Sequence, residues 1–334
     1  MPNRIYLALC SGIFALLFCC YALADASFVQ RADVQSFIDK MVHKYGFSKS
    51  ELENIFSQVK IRPHVIQSIR QPLEAQPWYN YQTLFITESR IRGGVEFWNH
   101  HAAELARAEK KYGVPASIIV ATIGVETKYG KSKGEYPVID ALTNISFSDS
   151  PRRAYFLSEL EEFLLLCREQ NLNPLAIKGS YAGAIGQPQF MPSSYRHYAV
   201  NFSGNGKIDL SDNIPDIIGS IANYYQKHGW EVNQMVVVPA LIEKEKYKNY
   251  LTQTQKLTIT KTDLQHYGIM PYAPVPANQK IKVIELQGYH GNEYWLSMHN
   301  FDVIKRYNAS NLYAMAVYQL SYYITALKEK EHRA

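Results

Sequence analysis

Residues 114–130, VPASIIVATIGVETKYG, are nearly apolar on every side when wound as a helix. A helix without a polar face must be enclosed by other elements, so this segment points to a mainly α body built around it. Pro115 suits the first turn, Ile118, Ile119 and Ile123 supply the bulk, and Gly130 is the expected stop. Within the apolar run stands one acid, Glu126, in the last turn.

The first 24 residues read as a secretory leader that does not join the fold. Arg4 gives the charge, Ile5–Leu17 the apolar run and Ala22-Leu23-Ala24 an A-x-A cleavage site. The apolar run is short for a membrane span of roughly 20 residues. Lipid attachment at Cys19 or Cys20 is the rival, disfavoured because bulky Phe18 and Cys19 itself precede the two positions. Export to the periplasm with cleavage after Ala24 is therefore expected. Three of the 4 cysteines lie in this leader. Cys167 alone remains, after Leu164-Leu165-Leu166, which excludes an internal disulfide or a zinc framework and reads as a buried apolar residue.

The net charge of +5 falls by one when Arg4 is removed. That excess is too small for a nucleic-acid binder, so no nucleic-acid partner is expected. It suits an anionic partner such as cell-wall glycan or a membrane surface, or plain solubility.

Val34, Phe37, Ile38 and Met41 follow helical spacing, and Ser48-x-x-Glu51 is a capping-box pattern before Leu52, Ile55, Phe56 and Val59. Further helices are expected at about Val95–Tyr112 with Gly113 as stop, at 151–170, at 214–228 and at Asn311–Lys328. Between Val232 and Phe301 the pattern changes. Met235–Val238, Leu257–Ile259 and Ile281–Leu286 are strand-like, with Pro271, Pro274 and Pro276 between them. The fold expected from these patterns is a helical body with a small β-containing insert.

Glycosidic cleavage needs a carboxyl group that still holds its proton near neutral pH. Apolar surroundings penalise the charged form of a glutamate, and the negative end of a helix dipole acts in the same direction. Glu126 has Ile123, Val125 and Tyr129 as neighbours and sits at such a helix end, which suits it to acid catalysis. The bland alternative is a solvated glutamate paired with Lys128 or Lys131.

GVETKYG at 124–130, PRRAYF at 151–156, KGSYAGAIGQPQFMPSSY at 178–195, NFSGNGKIDLSD at 201–212 and RYN…YAMAVYQL near the end resemble lytic murein transglycosylase B. The five motifs occur in that family's order and span nearly the whole chain after the leader. The resemblance implies a mainly α, α+β fold: a lysozyme-like core at 111–232, a helical domain at 25–110 completed by 302–334, and a small β domain at 233–301. It implies an exported monomeric enzyme that acts on peptidoglycan glycan strands, alone or beside other cell-wall enzymes. The reaction would cut between N-acetylmuramic acid and N-acetylglucosamine without water, leaving 1,6-anhydro ends, with no cofactor required. Glu126 matches the single catalytic acid/base. Asp140 and Asp149 are further acids, and no spacing singles either out. A lysozyme-like hydrolase and a non-catalytic peptidoglycan-binding scaffold are the alternatives.

Ser180 and Gln189 match positions that orient the acetamido group and the glutamate, against a plainer reading as loop-internal hydrogen-bonding residues. Gln187-Pro188 departs from the Tyr-Gly that relatives often carry. Tyr224, Tyr307 and Tyr313 match groove-lining positions, although tyrosine as a type more often packs. Arg152 and Arg153 are candidates for substrate carboxylates, or a solvated helix start.

Residues 201–212 also fit a twelve-residue calcium-loop register. Asn201, Ser203, Asn205, the Lys207 carbonyl and Asp212 fall at ligand positions, with Gly206 at the turn. Asp209 and Asp212 are the only carboxylates there, so the loop shape is expected to persist with structural calcium bound weakly or not at all. Other chemistries fail on spacing. Val125 stands where a phosphate loop ending in GKS needs glycine, H-E-x-x-H is absent, and adjacent His100 and His101 diverge on a helix.

Overall fold

The computed structural model describes residues 28–69, 73–253, 259–277 and 279–333. The expected leader, with Cys10, Cys19 and Cys20, lies outside the described residues. The chain divides into two compact units. Among the described residues no helix is long and apolar enough to cross a membrane.

Among the described residues, the first unit holds 28–69, 134–185 and 191–193. Its helices include Ala32–Tyr45, Lys49–Ser57, Pro63–Ile69, Val138–Ser146 and Arg153–Glu169. Val34, Phe37, Ile38 and Met41 are buried as their spacing predicts. Ser48 caps the next helix, its side chain accepting from the Glu51 amide. Phe37, Phe56 and Phe147 meet edge to face at 5.9–6.4 Å, which fixes their mutual packing. Asp140 is buried, accepts from Arg62 Nε at 2.8 Å and from the Lys60 amide at 3.0 Å, and thus holds the turn after Val59. Cys167 is buried as expected, and burial pushes its thiol up to about 12. A two-residue ribbon pairs β1 (Tyr136–Pro137) with β2 (Lys178–Gly179). Gly134 is required beside it, because a Cβ there would stand 2.1 Å from the Gly179 carbonyl oxygen.

The second unit comprises the described residues of 73–133, 186–190 and 194–333. Ala116–Thr127 is buried on all sides except at Ser117 and Glu126, as its composition requires. It is packed by the helices Glu88–His100, Ala102–Tyr112, Ile214–Lys227 and Asn311–Arg333. The single helix expected at Val95–Tyr112 is instead two, meeting at His101, whose φ of −120° and ψ of 30° leave the helical region. The first of them starts earlier than hydrophobic spacing suggests because Thr87 caps it, accepting from the Arg90 amide.

The late β segment is an antiparallel sheet in the order β4 (Ile269–Pro271), β3 (Val237–Ile242), β6 (Gly291–Ser297), β5 (Lys282–Gly288). Strand β6 has a polar start, GNEYWLS, and escaped the sequence patterns. A two-residue hairpin turn at Tyr289-His290 pairs it with β5, Gly288 opposite Gly291. Leu257 and Thr258 are outside the described residues, and Ile259 makes only a bridge to Ile281. One face of the sheet carries its own core of Val238, Ala240, Ile269, Leu296 and Met298, closed by Tyr247 and Leu264 from the two helices Lys244–Gln253 and Lys261–His266.

Candidate active site

The central helix ends two residues before its expected stop. Lys128 and Tyr129 take left-handed φ of 50° and 60° ahead of Gly130 at 81°. The amides of Lys128 and Tyr129 return to the carbonyls of Gly124 and Ile123, so Glu126 is held in a fixed last turn. Non-glycine residues adopt this conformation only when their surroundings impose it. Here the Tyr129 side chain imposes it. Its hydroxyl donates to the Arg90 carbonyl at 2.7 Å, and its ring is seated where Gly93, Gly94 and Gly124 leave room. A Cβ on Gly124 would lie 2.6 Å from that hydroxyl oxygen. Buried Arg90 closes the arrangement by donating from Nε to the Gly124 carbonyl at 2.8 Å.

Glu126 keeps part of its surface accessible while its carboxyl group is packed among protein atoms. Oε1 accepts a 2.5 Å hydrogen bond from the Tyr313 hydroxyl. Tyr313 stacks on Tyr307 at 6.2 Å and 14°, and Tyr307 meets Tyr224 at 4.9 Å, Tyr225 at 5.6 Å and Phe190 at 5.7 Å. Loss of hydration in these surroundings raises the Glu126 pKa to about 7. The Tyr313 hydrogen bond opposes that rise and the nearby charge of Glu74 adds to it. Glu126 therefore holds its proton through weakly acidic to neutral conditions, as a general acid must.

Of the residues singled out in the sequence, Glu126, Gln189, Tyr224, Tyr307 and Tyr313 all lie in this second unit. Tyr224 and Tyr313 are buried, so they wall the site more than they present open faces. The Tyr224 hydroxyl donates to the Arg306 carbonyl at 2.6 Å, and that of Tyr307 to the Pro188 carbonyl at 2.5 Å. Gln189 has φ +50°, and its Nε2 donates to the carbonyls of Gly186 and Lys133 at 2.8 and 3.1 Å. Ser180, in the first unit, closes its own turn: Oγ accepts from the amides of Ala182 and Ala184. Arg152 and Arg153 are exposed in that same unit. Arg152 lies over the rings of Tyr155 and Phe156, and Arg153 pairs with Asp33 at 3.3 Å. Asp140, tied to Arg62, is a structural acid.

Sequence reasoning missed Glu74 and Thr127, took Tyr129 only as an apolar neighbour of Glu126, and noted Gln187 only as a departure from the family's pattern. The Thr127 hydroxyl donates to the Gln187 carbonyl at 3.1 Å and ties the residue after the acid to the Gln189 loop. The Gly93-Gly94 pair inside a helix was the readable signal for Tyr129, since helix-interior glycine is costly unless something packs against it.

The profile described as Transglycosylase SLT domain matches residues 29–322. This chain belongs to that family. It is 41% identical over 303 residues to membrane-bound lytic murein transglycosylase B of Escherichia coli, which covers 88% of this chain and 82% of that protein. The crystal structure of soluble lytic transglycosylase SltB1 from Pseudomonas aeruginosa superposes with a TM-score of 0.81 at 44% identity, over 88% of this chain and 98% of that one. The structure of Escherichia coli lytic transglycosylase Slt35 in complex with calcium gives 0.81 at 40% identity, over 90% and 95%. The mainly α fold with a lysozyme-like core is thus the fold of this transglycosylase family.

The calcium-loop register of this family member is poorly furnished for that ion. Asn201 Oδ1 accepts from Ser203 Oγ and the Gly204 amide, and Asn205 Oδ1 from the Lys207 amide. Asp209 Oδ1 accepts from the amides of Ser211 and Asp212. Asp212 is paired with Lys133 at 2.8 Å. Neutral amides stand at the first and fifth positions, and the last-position carboxylate is neutralised. No cluster of three histidine, cysteine, aspartate or glutamate side chains able to hold a metal occurs among the described residues. Calcium loops depend on several carboxylates for affinity, so the residues present do not fit the ion.

Proposed function

We propose that this family member, a lytic murein transglycosylase, works with Glu126 as its single acid/base. The observation that carries the reading is one carboxyl group held protonated near neutral pH by aromatic burial, with a phenol fixing one of its oxygens. The protonated carboxyl gives its proton to the oxygen leaving from C1 of N-acetylmuramic acid. The substrate's N-acetyl oxygen supports C1 as that bond breaks. The resulting carboxylate then takes the proton from the C6 hydroxyl, whose oxygen closes on C1 to form the 1,6-anhydro ring. Glu126 ends protonated, so no water or second carboxylate is consumed.

Gln189 and Ser180 orient the acetamido group, Tyr307, Tyr313 and Tyr224 line the bond-cleavage position, and Arg152 and Arg153 meet carboxylates of the substrate. The functional division is a core at 111–232, a helical domain at 25–110 with 302–334, and a β domain at 233–301 that has a separate core. The partner is the glycan strand of peptidoglycan, and the place of action is the periplasm, with the chain acting as a monomer.

Digestion of purified sacculi tests the reading. Wild-type protein is expected to release anhydro-muramoyl products, lighter by one water than those of a hydrolase, and Glu126→Gln to release almost none while still binding glycan. Reducing-end products would instead establish a hydrolase, and unchanged lysis by Glu126→Gln would remove Glu126 from the chemistry.

A further inference from the structure

The loop at 201–212 keeps the turns of a calcium loop without the charges that hold calcium, so something else must fasten it. Two groups do so. Asp216, wholly buried in the first turn of the following helix, accepts from the amides of Ser203 and Asp209 at 2.8 and 3.2 Å. At the far end Lys133 Nζ donates to Asp212 Oδ1 at 2.8 Å and to the Ser211 carbonyl at 3.3 Å. An ammonium thus gathers a carboxylate and a main-chain carbonyl at the last positions of the loop.

Lys133 is also wired to the substrate loop. Its own carbonyl accepts from Gln189 Nε2 at 3.1 Å. The Ser211 carbonyl accepts a second hydrogen bond, from Gln187 Nε2 at 3.1 Å, and the Leu210 carbonyl accepts from the Gln187 amide at 2.8 Å. The Gln187 carbonyl in turn receives the Thr127 hydroxyl, one residue beyond Glu126. Gly130 makes room for this arrangement, since a Cβ there would fall 2.8–2.9 Å from the Gln187 carboxamide.

We infer that in this chain the Lys133 ammonium, and not a divalent cation, fixes the C-terminal half of the 201–212 loop and through it the orientation of Gln189. Lys133 is accordingly a positioning residue, and its catalytic consequence rests on the reading of Gln189 given above. Lys133 and Asp212 are 35% and 76% exposed, so their pairing adds little to overall stability. What it sets is geometry.

The test uses the full chain with and without calcium. Wild-type thermal midpoint is expected to be the same in chelator and in calcium at about 5 mM, above what weak extracellular loops require. Lys133→Met should lower kcat about tenfold with KM nearly unchanged, as a slight misplacement of an orienting group does, and Lys133→Arg should restore it. The combined change Lys133→Met, Asn201→Asp, Asn205→Asp should acquire a midpoint that rises with calcium. A wild-type midpoint that rises with calcium would overturn the inference, as would Lys133→Met with unaltered kcat or a combined variant indifferent to calcium. If Lys133→Met does not fold, Asp212→Ala removes the same pairing and is judged by the same kcat criterion. Glu126→Gln in the same assay separates failures, because its retention of lysis would sink the catalytic reading while the calcium measurements still judge Lys133.

Discussion

Replacing Glu126 by glutamine should change how stability depends on pH, independently of what it does to lysis. Burial lifts the Glu126 pKa from 4.5 to about 7 in the folded protein, while the unfolded chain keeps the ordinary value. A group raised in this way contributes its full stabilisation below pH 4.5, where it is protonated in both states. That contribution is lost as pH rises and is gone above pH 7. The displacement corresponds to about 3 kcal/mol. Glutamine copies the protonated carboxyl in shape and can still accept from Tyr313, but it does not titrate. Glu126→Gln should therefore match wild type near pH 4 and exceed it above pH 7 by about 3 kcal/mol, or about 5 °C in midpoint for a chain of this size. Differential scanning calorimetry at a series of pH values reads both curves. A constant offset at every pH, or a variant no more stable than wild type at pH 8, would refute the burial argument.

On the proposed mechanism, in which protonated Glu126 starts the reaction, the same pKa places the alkaline fall of kcat near pH 7; a pH–rate profile on sacculi checks this. Tyr313→Phe removes a hydrogen bond that lowers the Glu126 pKa, so that fall should move to higher pH while kcat drops about tenfold. Gly124→Ala, which would ordinarily favour a helix interior, should instead destabilise by about 2 kcal/mol through collision with Tyr129, measurable by chemical denaturation. Arg62→Met strands buried Asp140 and should cost about 3 kcal/mol, with activity per folded molecule preserved because Asp140 has no part in the chemistry.

The central helix was legible because its apolar residues leave no solvated face, and the position of Glu126 in its last turn followed from that. The amphipathic N-terminal helices were legible for a different reason, the helical spacing of Val34, Phe37, Ile38 and Met41 on one buried face. Strand β6 was not, since its first half is polar and its place in the sheet comes from pairing with β5 rather than from alternation. The break at His101 was equally hidden, because apolar spacing continues across it. Within the site, the sequence marked the acid and the glycine-rich loop by residue type. It could not show that Tyr313, 187 residues away, supplies the hydrogen bond to Glu126, since that contact exists only after the helices pack. Lys133 carried no signal at all. Its side chain and carbonyl acquire their roles from two loops distant in the chain.

The tyrosine-lined seat of Glu126 also bears on inhibition. A small molecule carrying a fixed positive charge at the position of C1 gains most when the carboxyl beside it is ionised. Raising the pH past neutrality should then tighten such a compound while it slows turnover, so potency and catalysis would run in opposite directions along one titration.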